Sequence, residues 1–226
     1  FDCDLSEHKL FDMGDIELPF GNTERVLEII KKNAERVVLD NKILFSVGGE
    51  HLVTYPLVEA YYKKYKDELV ILHFDAHTDL RDDYMGEKLS HASVIKRIYD
   101  MVGRDKIYQF CIRSGEKDEF SYHEKGIFQE KFKFTKLEEI IEKIKGRPVY
   151  VTIDLDVLDP SIFSGTGTPE AGGINFHEML DLIKVLKNAK IVGADVVELS
   201  PHYDQSGVST AVACKIIREL TFAILK

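Results

Sequence analysis

The strongest constraint on the fold is an alternation of two hydrophobic periods along the chain. Short, almost wholly apolar runs occur at 43–47, 69–74, 107–112, 148–153 and 191–197. Such runs read as strands buried on both faces. Between them lie segments with apolar residues at helical spacing: 22–40, 55–65, 91–101, 116–124, 136–144, 176–186 and 208–225. The stretch 127–134 reads as a short strand or a loop. Pro148 opens its strand, where a missing N–H costs least, and Asn175 is placed to cap the helix that follows. Strand and helix alternating in this way predict an α/β fold: three layers, α/β/α, around a central and mostly parallel sheet. No linker, repeat or low-complexity segment interrupts the pattern, so residues 1–226 are expected to form a single domain.

Composition narrows the function. The chain has 226 residues and a net charge of −9. At this length roughly 70% of the unfolded surface is buried on folding, so the fold needs no staple. An acidic chain without a basic block is a poor partner for nucleic acid or for an anionic membrane, and no apolar run is long enough to span a bilayer. The start, Phe1-Asp2-Cys3-Asp4, lacks the basic-then-apolar order of a signal peptide. It also lacks an initiator Met, so an upstream segment is expected. Cys3, Cys111 and Cys214 are too dispersed for a disulfide framework or a thiolate zinc site, and reduced thiols in a cytoplasmic protein are expected.

In open parallel sheets, ligands bind beyond the carboxyl ends of the strands. Those positions carry Glu50 and His51 after two glycines, then Asp75, His77 and Asp79, then Asp154 and Asp156, and finally Glu198. Residues at i, i+2 and i+4 on extended chain point the same way, so Asp75-Ala76-His77-Thr78-Asp79 reads as a metal cluster, with Asp154 and Asp156 joining it. Gly48-Gly49 permits a tight turn that brings His51 inward. His73 is one step back on the same face, where a His more often supports a ligand than serves as one. Asp75, Asp79, Asp154 and Asp156 would bring four negative charges to one pocket, and two divalent cations balance them. Carboxylate and imidazole donors without thiolate favour Mn²⁺, with Zn²⁺, Co²⁺ or Fe²⁺ compatible. Two such ions about 3.5–4 Å apart share and activate a water, which points to a hydrolase. The run Gly165-Thr166-Gly167-Thr168-Pro169 is not a phosphate loop: it lacks the Lys and follows no strand. His8, His123, His177 and His202 read as surface residues.

Taken in order, Gly48-Gly49-Glu50-His51, Asp75-Ala76-His77-Thr78-Asp79, Asp154-Leu155-Asp156-Val157-Leu158-Asp159-Pro160, Gly165-Thr166-Gly167-Thr168-Pro169 and Asp195-Val196-Val197-Glu198 resemble the ureohydrolases, the arginase and agmatinase family. The resemblance runs from about Leu10 to the C-terminus, without the upstream strand and loop that members usually carry. It implies an arginase/deacetylase-like fold and two Mn²⁺ per chain. One ion would be held by His51, Asp75, Asp79 and Asp154, the other by Asp75, His77, Asp154 and Asp156. It implies that Glu198 grips a substrate guanidinium, that His91 in Ser90-His91-Ala92-Ser93 contacts substrate and moves protons, and that Asp79 delivers a proton to the leaving amine. It also implies a trimer or hexamer. Agmatine is the expected substrate, because the segment 80–90 holds more acids than bases and would disfavour an α-carboxylate. Arginine, guanidinobutyrate and formiminoglutamate remain alternatives. A metal-binding scaffold without turnover and a single-metal deacetylase-type amidohydrolase are the competing classes.

Overall fold

The computed structural model describes residues 4–225. Phe1, Asp2 and Cys3, with the expectations placed on them, lie outside the described residues. Among the described residues the sheet has six strands: β1 Leu44–Val47, β2 Val70–Phe74, β3 Ile107–Ile112, β4 Phe128–Lys131, β5 Pro148–Asp154 and β6 Lys190–Val197. Their order across the sheet is β1-β6-β5-β2-β3-β4, and every pair is parallel. β2 and β5 are therefore neighbours although widely separated in sequence. The chain runs outward from β2 through β3 to β4, then returns to lay β5 and β6 on the other side. This is the switch point at which an open sheet leaves a crevice.

Helices cover both faces. α1 Thr23–Leu39, α2 Thr54–Tyr65 and α3 Val94–Val102 pack Ile30, Ala34, Leu57, Tyr61, Ile95 and Ile98 against Ile71, Ile107 and Tyr150. On the opposite face, α5 Leu137–Lys143, α6 Phe176–Leu186 and α7 Val208–Ile224 pack Ile141, Leu182, Ile183, Ile216 and Leu220 against Leu72, Phe110, Val151 and Ala194. The alternating side chains of each buried strand feed one core and then the other. The three-layer fold read from the sequence is thus the fold observed.

Local chemistry sets the ends. Asn22 Oδ1 accepts from the Arg25 amide at 2.9 Å and starts α1. Asn175 and Glu178 form a reciprocal cap on α6. The helix expected at 116–124 breaks into α4 Lys117–Phe120 and a 3-10 turn, Ser121–Lys125. Ser121 Oγ donates to the Asp118 carbonyl at 2.6 Å, and Gly126 closes the turn at φ 91°. The ambiguous stretch after it contains β4. The helix expected at 91–101 opens with a 3-10 turn, His91–Ser93, capped by Ser90. Among the described cysteines, Cys111 and Cys214 are both free. No helix among the described residues is long and apolar enough to cross a membrane.

Candidate metal centre

Four strand ends build the centre. After β1, Gly48 and Gly49 take φ 103° and 74°, and His51 swings under the sheet edge to 1% exposure. The turn is locked to β6: the Gly48 amide donates to the Val196 carbonyl at 2.9 Å, and the Glu198 amide to the Gly49 carbonyl at 3.0 Å. After β2 come Asp75, His77 and Asp79. After β5 come Asp154 and Asp156. Glu198 follows β6. Asp79 and Glu198 hold φ of 53° and 65°, a region that residues with a Cβ rarely occupy and that concentrates at functional sites.

The six expected ligands do converge. His51 Nδ1 lies 3.1 Å from Asp75 Oδ2, 3.1 Å from Asp79 Oδ2 and 3.2 Å from Asp154 Oδ2. His77 Nδ1 lies 2.9 Å from Asp156 Oδ2 and 3.4 Å from Asp75 Oδ1. Asp75 offers one oxygen to each group. Backbone amides fix the carboxylates. His77 N donates to Asp75 Oδ1 at 2.5 Å, Asp156 N to Asp154 Oδ1 at 2.8 Å, and Ala76 N to Asp156 Oδ1 at 3.1 Å. Through Oδ2, Asp154 sides with the His51 group.

The residues fit a cation. Thr152 Oγ1 lies 2.6 Å from Asp195 Oδ1 and 3.0 Å from His51 Nε2. Its single proton goes to the carboxylate, so it accepts from His51 Nε2–H. Nδ1 is left facing three carboxylate oxygens, with no hydrogen bond of its own. A positive species belongs between them, and three nearly equal distances suit an ion better than a proton. The pKa shifts of the group mark the same crowding of negative charge. Burial and the charge of Asp75 push the Asp79 carboxyl up to about 7. Burial, Asp156 and Asp75 raise Asp154 well above the ordinary range. Burial opposes the charged form of His77, yet Asp156 and Asp75 drive it up to about 12. This is a pocket of buried negative charge.

The three other polar residues expected at the site divide. Glu198 Oε1 accepts from the His51 amide at 2.7 Å, which leaves Oε2 for a ligand, and burial raises its pKa. His91 stands at the rim, with Nδ1 3.4 Å from Glu50 Oε2 and its ring edge-on to Tyr84. His73 is not free to bind an ion, because both ring nitrogens are bonded: Nδ1 to Gln109 Nε2 at 2.9 Å and Nε2 to Asp75 Oδ2 at 2.8 Å. The four surface histidines stand apart from the centre, although His8 is half-buried against Phe222.

A cavity of about 190 Å³ opens onto the cluster, lined also by Arg81, Tyr84, Ser114, Glu119 and Thr168. The segment 80–90 does reach the cavity, but the expectation drawn from its acids is corrected, because none of them lines it. Only Arg81 and Tyr84 of that segment line the cavity. Reciprocal bonds between Tyr84 and Glu87 close a tight turn, while Asp82 turns to Lys96 at 3.3 Å and is 83% exposed. The carboxylates near the mouth come from elsewhere: Glu50, Glu116 and Glu119. The last two hold Arg81 at 3.4 and 3.7 Å. Sequence reasoning missed Glu119, which is 5% exposed and accepts from Thr78 Oγ1 at 2.7 Å and the Leu80 amide at 3.0 Å. It also missed Arg113, whose guanidinium grips the carbonyls of Asp156 at 2.7 Å and Glu170 at 2.9 Å. Thr168, from the glycine-threonine run, faces Asp156 Oδ2 at 3.5 Å.

Comparison with known proteins agrees with this geometry. The sequence pattern of the arginase family matches residues 1–223. The agmatinase of Bacillus anthracis is 47% identical over 100% of this chain and 79% of its own length. The human mitochondrial guanidino acid hydrolase is 31% identical over 95% of this chain and 64% of its own. A crystal structure from Clostridium difficile, described as a candidate agmatinase, superposes with a TM-score of 0.96. It is 50% identical and covers 99% of this chain and 82% of that one.

Proposed function

The chain belongs to the arginase family, and from that premise we propose that it hydrolyses agmatine to urea and putrescine. The convergence of four carboxylates and two imidazoles beside Glu198 carries the chemistry. The higher identity to the Bacillus anthracis agmatinase than to the human guanidino acid hydrolase supports the choice of substrate.

In this reading two divalent cations, Mn²⁺ by the hardness of the donors, would be held by His51, Asp75, Asp79 and Asp154, and by Asp75, His77, Asp154 and Asp156. Bound there, the pair would supply Lewis acidity and lower the pKa of a water. The chain does the rest. Glu198 pairs through Oε2 with the guanidinium, which stays protonated at neutral pH and favours a carboxylate. Its strained backbone and its bond to the His51 amide hold the substrate carbon in line, a positional contribution. A water oxygen adds to that carbon, and the proton it sheds is taken by the Asp79 carboxylate. The bond from carbon to the alkyl nitrogen breaks as that nitrogen receives the proton. His91 at the rim exchanges protons with solvent, so that the amine leaves as an ammonium. Glu116 and Glu119 hold Arg81 and Glu50 stands beside His91, so carboxylates outnumber the one arginine around the mouth, which suits a substrate with a cationic tail.

The reading extends to a homo-oligomer, trimer or hexamer, working in the cytoplasm. Exposed Leu10, Phe11 and Phe20 are consistent with subunit contact, and light scattering tests it. Urea release from agmatine, arginine, guanidinobutyrate and formiminoglutamate, with metal content verified, tests the substrate. Agmatine is expected to be turned over fastest, and faster turnover of any other member of the panel would overturn the choice.

A further inference from the structure

One register row crosses the whole sheet just below the cluster: Ser46, Asp195, Thr152, His73, Gln109 and Gln129 are paired side by side. Every member is polar. Asp195, Thr152, His73 and Gln109 are each 0% exposed. A buried parallel sheet normally fills such a row with apolar residues, and burying polar groups is unfavourable unless each is bonded. Half of the row fixes His51 through Thr152. The other half has a direction of its own.

Gln109 Nε2 lies 2.7 Å from the Thr78 carbonyl, which only accepts, so the amide nitrogen must be on that side. Its second hydrogen goes to His73 Nδ1 at 2.9 Å. Gln109 Oε1 accepts from Gln129 Nε2 at 2.8 Å. His73 Nδ1 is therefore an acceptor, its proton is on Nε2, and Nε2–H donates to Asp75 Oδ2 at 2.8 Å. The bonds run one way, from β4 through β3 and β2 into the carboxylate shared by both groups of ligands. The same glutamine pins the Thr78 carbonyl, inside the ligand segment itself.

We propose that His73, with its tautomer set by Gln109, is a positioning residue of the metal centre: it fixes the carboxylate plane of Asp75 so that one oxygen addresses each ion. This rests on the two-ion reading above. Asp75 Oδ1 is fixed by the His77 amide and Oδ2 by His73. Without the second bond the carboxylate is free to turn about its Cβ–Cγ bond, and the geometry common to both ions is lost. A glutamine at 73 still carries an N–H donor at the reach of Nε2, whereas a phenylalanine fills the space without one.

Titration of the metal-free full chain with Mn²⁺, followed by the paramagnetic resonance of free ion, tests this, with circular dichroism to verify the fold. Wild-type protein is expected to take up two ions. His73→Phe should bind both at least tenfold more weakly, Gln109→Glu should weaken them similarly by reversing the polarity at Nδ1, and His73→Gln should stay within about threefold of wild type. Long-range ¹H–¹⁵N spectra of the wild-type chain should show His73 protonated at Nε2, a measurement that needs no variant to fold. Two tightly bound ions in His73→Phe, or a proton on Nδ1, would overturn the inference alone. A wild-type chain that takes up no ion would overturn the two-ion reading and the inference with it.

Discussion

Asp195 is a wholly buried carboxylate satisfied by hydroxyls: Tyr150 donates to Oδ2 at 2.6 Å and Thr152 to Oδ1 at 2.6 Å. Removing one donor leaves a buried charge short of a partner. Tyr150→Phe is therefore expected to lower stability by about 1–3 kcal/mol, measured by urea denaturation. At the rim, Glu50 raises the pKa of His91, against a smaller effect of burial. A raised folded-state value means that the pair stabilises the fold below about pH 6.5, the unfolded value. That contribution fades as pH climbs through the raised value. Glu50→Gln should move the His91 midpoint to lower pH in an NMR titration; an unmoved midpoint would mean the pair is not formed in solution. In the centre, Asp156→Ala or His77→Ala should abolish urea release while circular dichroism is retained. The residues of the proposed metal centre were legible in the sequence because their spacing after apolar strands is local. Glu119 was not, since a glutamate in a short amphipathic segment carries no mark of being buried. The acids between 80 and 90 misled for the converse reason: nothing in the sequence says which side of a tight turn meets solvent.

At the scale of the element, the segment after β5 shows how the loops hold the residues of the proposed centre. Leu158 pairs with Ile174 in an isolated parallel bridge, and Asp159 Oδ2 accepts from the amides of Gly172 and Gly173 at 2.9 and 3.1 Å. A Cβ on Gly173 would sit 2.5 Å from the Asp159 nitrogen and the Leu158 carbonyl carbon, both of them backbone atoms that cannot rotate away. Gly173→Ala should cost roughly 1–3 kcal/mol by overpacking, seen as a lower midpoint of thermal unfolding, and should disturb the backbone that carries Asp156. The helices and strands themselves were largely legible from period alone. The polar row beneath the cluster was not, because its six residues stand on six strands and register is a property of the assembled sheet. The helix expected at 116–124 breaks where Ser121 Oγ bonds back to the Asp118 carbonyl, a local contact that periodicity does not register.

For the whole molecule, buried like charges imply that ion binding is also folding energy. A ligand bound only by the native state adds about 2.7 kcal/mol at a hundredfold excess over its dissociation constant. Two ions would add roughly twice that, and for a chain of this size each kcal/mol moves the midpoint by about 2–4 °C. Chelation should therefore lower the melting temperature by roughly 10–20 °C, as measured by calorimetry, and Mn²⁺ should restore it. The sheet order has a further consequence. Among the described strands, β6 is the last in the chain and lies between β1, the first of them, and β5, and Glu198 arrives only with it. A ribosome still translating β6 holds a chain in which β1 and β5 are not yet joined through it and whose reaction pocket lacks one wall. Catalytic competence for this protein thus begins only after β6 has emerged and slotted home, so chains stalled before it have no means to act on free guanidines.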